Sequence, residues 1–343
     1  MTQNRSRMLV LVVLLAAAVV VMAIAPFVGM VRMPISSAVS RSAEGSGFFI
    51  FWHMRVPRVI VAMLAGAALA ASGMVFQAMF RNPLATPFTL GVASGASLGA
   101  AMYLRLGGVM SAWLAASLGL PGTPGISIAA FIGALASILL VYGLAQARRG
   151  FSGTTMLLAG VAVSFLFSSV ILLMHYIGDI HSSYRLLRWI MGGLQAYGYD
   201  QVLRVAPFAI GGSAIVLCLT RELNLLTTGE DLATSRGVDV RRVKRTLFFA
   251  TSLMVGGVVA VCGPIGFIGM MAPHICRLLI GADHRYLTPA TMLFGAMFLT
   301  LCDLLARTLI APAEIPVGVI TALLGGPFFL WLLLRRAADI HTA

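Results

Sequence analysis

Long apolar runs, separated by short polar breaks, set the pattern of this chain. A helix needs about 20 apolar residues to cross a bilayer. Ten runs read as such spans, at about 8–30, 57–80, 88–104, 126–147, 156–177, 202–220, 246–261, 274–281, 287–306 and 316–334, the eighth shorter than the rest. A β-barrel would instead show alternating segments of about ten residues. The pattern predicts an all-α, polytopic membrane protein in a single transmembrane domain over residues 1–343. The longest polar break is Thr220–Arg245, TRELNLLTTGEDLATSRGVDVRRVKR. It reads as a compact charged element that something soluble can grasp.

Several interruptions are more specific than loops between helices. RNPLATP (Arg81–Pro87) contains two prolines, which forbid a simple helix. GFSGTT (Gly150–Thr155) is a tight polar corner, LGLPGTPG (Leu118–Gly125) a turn, and GPIGFIGMMAP (Gly263–Pro273) breaks an apolar run. Broken backbone at membrane depth is tolerated only where protein or a water-filled cavity satisfies it. These segments read either as ordinary turns or as parts of such a cavity. Gly91, Gly95 and Gly99 recur every fourth residue, placing a smooth face where another helix approaches closely.

Composition sharpens the membrane reading. The chain is 59% hydrophobic and 10% charged, against roughly 25% charged in soluble domains. The formal charge is +13, and every basic residue but Lys244 is arginine. Basic residues in such a chain mark loops on the cytoplasmic side, and there is no soluble basic domain to bind nucleic acid. With ten spans, both termini share a side that holds fifteen of the 24 Lys and Arg residues. That places the termini in the cytoplasm and leaves nine arginines outside. The N-terminal run also has a feature of a cleaved signal at Ala23-Ile24-Ala25, but its length favours a retained span.

Candidate chemistry is sparse. The only lysine lies between Val243 and Arg245, so a P-loop cannot be built and the chain is not itself an ATPase. Cys218, Cys262, Cys276 and Cys302 lie in apolar runs without paired spacing and read as buried thiols. The six histidines form no metal motif, so neither metal nor cofactor is expected; His175 and His181 are the two that could touch a passing iron complex or haem. Asp303 is the one acid well inside a span, four residues before Arg307, where the pair can satisfy itself on one helix face. An ion-coupled secondary transporter would show more buried ionisable groups, which disfavours that class.

The interruptions, taken in order, carry a resemblance. RVPR (Arg55–Arg58), FRNPLATPFTLGVASGASLGA (Phe80–Ala100), LLAGVAVS (Leu157–Ser164), WIMGGL (Trp189–Leu194), TTGEDLATSRGV (Thr227–Val238), GPIGFIGMMAPHICR (Gly263–Arg277) and EIPVGVITALLGGPFFLWLL (Glu314–Leu333) span nearly the whole chain. In this order and spacing they resemble the permease subunit of ABC importers for ferric siderophores, haem and cobalamin. The resemblance implies the ten-span type II permease fold in the bacterial inner membrane. It implies a homodimer or a pair of close relatives, two cytoplasmic ATP-binding subunits, a substrate-binding protein outside, and alternating access at the permease interface. The expected cargo is a ferric siderophore, with haem and cobalamin as alternatives.

Site residues follow from the same resemblance. Arg55, Arg58 and Arg307 match positions that receive acids of the binding protein; snorkelling to headgroups is the alternative. Asn82 and Leu84 match one cytoplasmic gate, and Ser152, Gly153 and Thr154 match the corner that forms the other. Gly153 departs from the hydroxyl residue that the cobalamin permease carries there. Thr228, Gly229, Glu230, Asp231 and the stretch to Gly237 match the coupling element seated in the ATPase groove, while Arg241–Arg245 reads as a surface anchor for the seventh span. Gly229 and Gly237 as stops would leave a short helix between them, with Glu230 and Asp231 near its positive end.

Overall fold

The computed structural model describes residues 2–29, 46–118, 125–147 and 153–341. The described residues are helical apart from short connections. Helix α1 is Thr2–Ile24, α2 Val56–Phe80, α3 Val92–Leu118, α4 Gly125–Ala147 and α5 Gly153–Tyr176. The short α6 is Ile180–Ile190, followed by α7 at Asp200–Cys218. Helices α8 (Thr220–Thr228) and α9 (Glu230–Ser235) lead into α10 (Val240–Cys262), α11 (Ile268–Ile280), α12 (His284–Thr308) and α13 (Val317–His341). Seven of these, counting α2 with the turn before it, are long and apolar enough to cross a membrane. The 27-residue α3, the shorter apolar α11 and the apolar stretch Val317–Leu332 of α13 match the other three expected spans.

Helix α2 is the axis of the bundle. Its apolar residues run all round the helix, as in a core span, and α12, α7, α11 and α10 pack about it. Glycine permits the closest crossings. A Cβ on Gly66 would lie 2.2 Å from the Gly295 carbonyl oxygen, and one on Gly73 only 1.8 Å from that of Gly269. The stripe read in the sequence behaves likewise: a Cβ on Gly95 would meet Gly133 O at 2.5 Å, and one on Gly99 would meet Ala129 O at 2.1 Å. These contacts seat α3 against α4, with backbone meeting backbone.

The break after Cys262 is satisfied by protein. Gly193 N–H donates to the Cys262 carbonyl at 2.8 Å, and Gln77 Nε2 of α2 donates to the Gly269 carbonyl at 3.2 Å. The non-helical backbone at residues 263–267 is thereby tolerated. Gly263 (φ +69°) packs so tightly that a Cβ would fall 2.5 Å from Trp189 O.

Several boundaries differ from the sequence expectation. The eighth span, α11, begins at Ile268 instead of about residue 274, taking the GMMAP end of the expected break into the helix with Pro273 inside it. The third span continues past Leu104 to Leu118, because Arg105 turns to the Ile177 carbonyl and to Asp179, 3.4 Å away. The seventh begins at Val240 instead of Thr246, because the Asp239 side chain caps it, accepting from Arg242 N–H at 3.0 Å. The LGLPGTPG turn lies mostly outside the described residues.

Candidate functional site

Two clusters lie at opposite ends of α2, Arg58 in its first turn and Phe80 at its last residue. The rise of a helix puts them roughly 33 Å apart.

At the Phe80 end the chain leaves α2 through Arg81, held left-handed at φ 49°. Asn82 then shapes the loop: its Oδ1 accepts from Leu84 N–H at 2.9 Å, and its carbonyl from Ala85 N–H at 3.1 Å. Leu84 is left half-exposed at the tip. Gly153 opens α5 directly against the Phe80 ring, where a Cβ would meet Cδ1 at 2.8 Å. Phe80 is itself stacked on Phe76, so its ring has little room to yield. Ser152 lies outside the described residues.

The stretch read as one charged break is folded. Gly229, at φ 136° and ψ 148°, separates α8 from α9 in a conformation that suits glycine. Thr228 Oγ1 closes α8 by donating to Leu225 O at 2.8 Å. Gly237 (φ 81°) ends the next turn, with Gly237 N–H donating to Thr234 O at 2.9 Å and Val238 N–H to Ala233 O at 3.1 Å. Glu230 and Asp231 occupy the first turn of α9.

Lys244 corrects the reading of Arg241–Arg245 as a surface anchor. It is only 3% exposed, and its Nζ pairs with Glu230 Oε1 at 2.5 Å, tying α9 to α10. Val240, Lys244 and Leu247 fall on one face of α10 by helical spacing, so the inward turn of this one cation was legible in the period. Asn224, also unmarked in the sequence, pins α8 to α12: its Nδ2 donates to Asp283 Oδ1 at 2.8 Å, and its Oδ1 accepts from His284 N–H at 2.8 Å. Burial opposes ionisation of Asp283, but the bonds from Asn224 and Arg285 N–H and the nearby Arg285 and Arg7 charges hold its carboxyl below the usual range.

Some of these residues share one cavity of about 580 Å³, lined by Phe80, Arg81, Gly153, Thr154, Glu230 and Lys244 among others, whereas Asn82, Leu84, Gly229 and Asp231 do not line it. Gate-matched and coupling-matched residues, far apart in sequence, therefore face the same space.

At the other end, Arg58 bridges two acids. Its Nε and Nη2 donate to Asp303 Oδ1 at 3.0 and 2.9 Å, and its Nη1 to both Glu314 oxygens at 3.1 Å. Arg307 Nε meets Asp303 Oδ2 at 3.1 Å, so the expected one-face pair forms. Arg307 Nη2 is buried without a hydrogen-bond partner. Arg55 Nη1 donates to the Pro26 and Phe27 carbonyls at 3.0 and 3.2 Å. Arg55 and Arg307 are 7% and 5% exposed, so neither lies along the surface as a headgroup anchor would. All three arginines, with Glu314 and Tyr197, line a pocket of about 630 Å³. His175 is half-buried and His181 exposed. Among the described residues no group of three or more His, Cys, Asp or Glu is placed to hold a metal ion.

The comparisons agree with this architecture. The model of the FecCD transport family matches residues 15–335. The chain is 42% identical over 293 residues to an uncharacterized ABC transporter permease of Bacillus subtilis, covering 84% of this chain and 79% of that one. It is 39% identical over 295 residues to the hemin transport system permease HmuU of Yersinia pestis, covering 86% of each. To the vitamin B12 import permease BtuC of Salmonella typhi it is 40% identical over 300 residues, again 86% of each. A solved inward-facing structure of a metal-chelate type ABC transporter superposes with a TM-score of 0.82 at 29% identity, covering 95% of this chain and 98% of that one. These relationships decide against the ion-coupled secondary carrier. A bundle of this topology, broken at these points and matched along nearly its whole length, makes the chain a member of the FecCD transport family and an ABC importer permease.

Proposed function

We propose that the chain forms half of the path of an ATP-driven importer in the bacterial inner membrane, with a ferric siderophore as cargo. Two copies of the permease enclose the path between them, and both termini face the cytoplasm. Two ATP-binding subunits seat on α8 and α9. A substrate-binding protein docks on the pocket of Arg55, Arg58 and Arg307. The excess of Lys and Arg on the α8–α9 side supports this orientation.

The observation that carries the reading is the shared cavity at the end of α2. Glu230 opens α9 and is ion-paired to α10, while Phe80, Gly153 and Thr154 face the same space. Closure of an ATPase on α9 would therefore be felt at the gate through a helix tied to α10 at its first residue. At the opposite end, three guanidiniums around one pocket suit charge-assisted pairs with acids of a docking protein. Haem or cobalamin is the second reading, favoured by the identity to HmuU and BtuC. Gly153, packed under Phe80, departs from the cobalamin pattern.

The test is uptake into proteoliposomes holding the permease, its ATP-binding subunits and its binding protein. Vanadate-sensitive accumulation of a ferric siderophore supports the proposal. Accumulation of haem or cobalamin alone would overturn the cargo, and vanadate-insensitive uptake abolished by an uncoupler would overturn the ATP-driven mechanism. Deleting Glu230–Gly237 abolishes association with the ATP-binding subunits; ATP-driven uptake by the deletion would refute the coupling role.

A further inference from the structure

The two acids bound to Arg58 are not equivalent. Asp303 is 1% exposed, sits within α12, and is held by Arg58 and Arg307 together. Glu314 is 28% exposed and sits in the short connection between Thr308, the end of α12, and Val317, the start of α13. It meets only the Nη1 corner of Arg58. Asp303 is thus a fixed part of the interior, whereas Glu314 can withdraw into water without leaving a carboxylate buried.

Charge and hydrogen-bond capacity favour such a withdrawal when another acid arrives. Arg55, Arg58 and Arg307 face Asp303 and Glu314, so the cluster carries one net positive charge with Glu314 in place and two without it. The buried Arg307 Nη2 is also unfilled by either acid. A buried donor without a partner is unfavourable, so an entering carboxylate that reaches it recovers an interaction Glu314 does not make.

We propose that Glu314 is the pocket's resident carboxylate, and that a carboxylate on the docking protein displaces it from Arg58. The proposal rests on the docking role given above to Arg55, Arg58 and Arg307. The exchange unties the α12–α13 connection from α2, leaving it held by bonds such as Ile315 N–H to Ala306 O at 3.1 Å. Helix α13, which follows directly, packs chiefly on α12 and α11. Docking at the pocket thereby loosens one defined end of one span.

The test measures binding of the transporter's own substrate-binding protein, loaded with a ferric siderophore, to the complete transporter in nanodiscs. Glu314→Gln removes the competing charge and keeps the side-chain shape. The expected result is roughly fivefold tighter binding at low salt, the scale of a partly exposed ion pair. The gain should shrink at about 1 M salt, where screening acts over roughly 3 Å. Glu314→Asp, which draws the carboxylate back from Arg58, shifts affinity the same way by less and serves if the first variant does not fold. Arg58→Met separates the two ideas. If it weakens binding while neither Glu314 variant tightens it, docking stands and the exchange is wrong. If Arg58→Met and both Glu314 variants all bind as the parent does, the docking role itself is wrong and the exchange falls with it.

Discussion

Lys244 and Glu230 make the most quantitative prediction, because their exposures are so unequal. Lys244 is 3% exposed and Glu230 48%. Glu230→Gln strands a buried ammonium with no countercharge, a loss of about 3 kcal/mol. Lys244→Met strands a carboxylate that is already half in water and keeps an apolar stem in the same space, so it costs about 1 kcal/mol. The double variant, which buries no unpaired charge, costs no more than Lys244→Met alone. The coupling energy of the cycle is therefore about 3 kcal/mol. The readout is hydrogen exchange in α9, where Ala233 N–H bonds to Gly229 O at 3.0 Å. Glu230→Gln speeds that exchange on the order of 100-fold, since 1.4 kcal/mol is a factor of ten. The double variant slows it again to the Lys244→Met rate. Equal effects of the two single variants, or simple additivity, would refute the claim that a buried lysine holds α9 to α10.

Three further predictions use other parts of the molecule. Gly73→Ala, whose Cβ would sit 1.8 Å from Gly269 O, destabilises the purified permease by about 3 kcal/mol, at the upper end of overpacking costs. In thermal unfolding Gly211→Ala, with nothing within 4 Å of its Cβ, instead leaves stability equal or raises it by up to about 1 kcal/mol. Asp179 caps α6 through Ser182, and these hydrogen bonds, with Arg105, lower its pKa from 3.8 to about 2. A depressed acid stabilises fully above its unfolded value, so the start of α6 loosens as pH falls from 3.8 towards 2. Fluorescence of Trp189, in a variant whose other three tryptophans are replaced by phenylalanine, reports this, and Asp179→Asn removes the pH dependence in that window. If the proposed gate role of this corner is right, Gly153→Ser forces the Phe80 ring to move and lowers uptake while leaving ATPase association intact, because the clash lies against Phe80 and not on α9.

What was legible in the sequence had a local cause. Apolar runs gave the spans, glycine spacing the α3–α4 contact, and Gly229 and Gly237 the limits of a short helix. Asp303 and Arg307 were readable as a pair because four residues make one helix turn. Arg58 was not readable as their partner, since 245 residues separate it from Asp303 and 256 from Glu314. Only the packing of α2 on α12 brings them together. Lys244 was hidden for a different reason: in a run of four cations, composition speaks for the surface, and only the helical period shows that one of them faces inward.

The glycine crossings have a consequence for motion. Gly66 lies eight residues from Arg58, and Gly73 seven residues from Phe80, so each outer arm of α2 is roughly 11 Å long. Both crossings place backbone on backbone, and the side-chain atoms that reach into the Gly66 crossing are the short Cβ atoms of Leu299 and Ala70. They form a fulcrum near the middle of a stiff beam. A tilt about it carries the Arg58 end and the Phe80 end in opposite directions by similar amounts, so that a push received on one side of the membrane arrives on the other with its sign reversed.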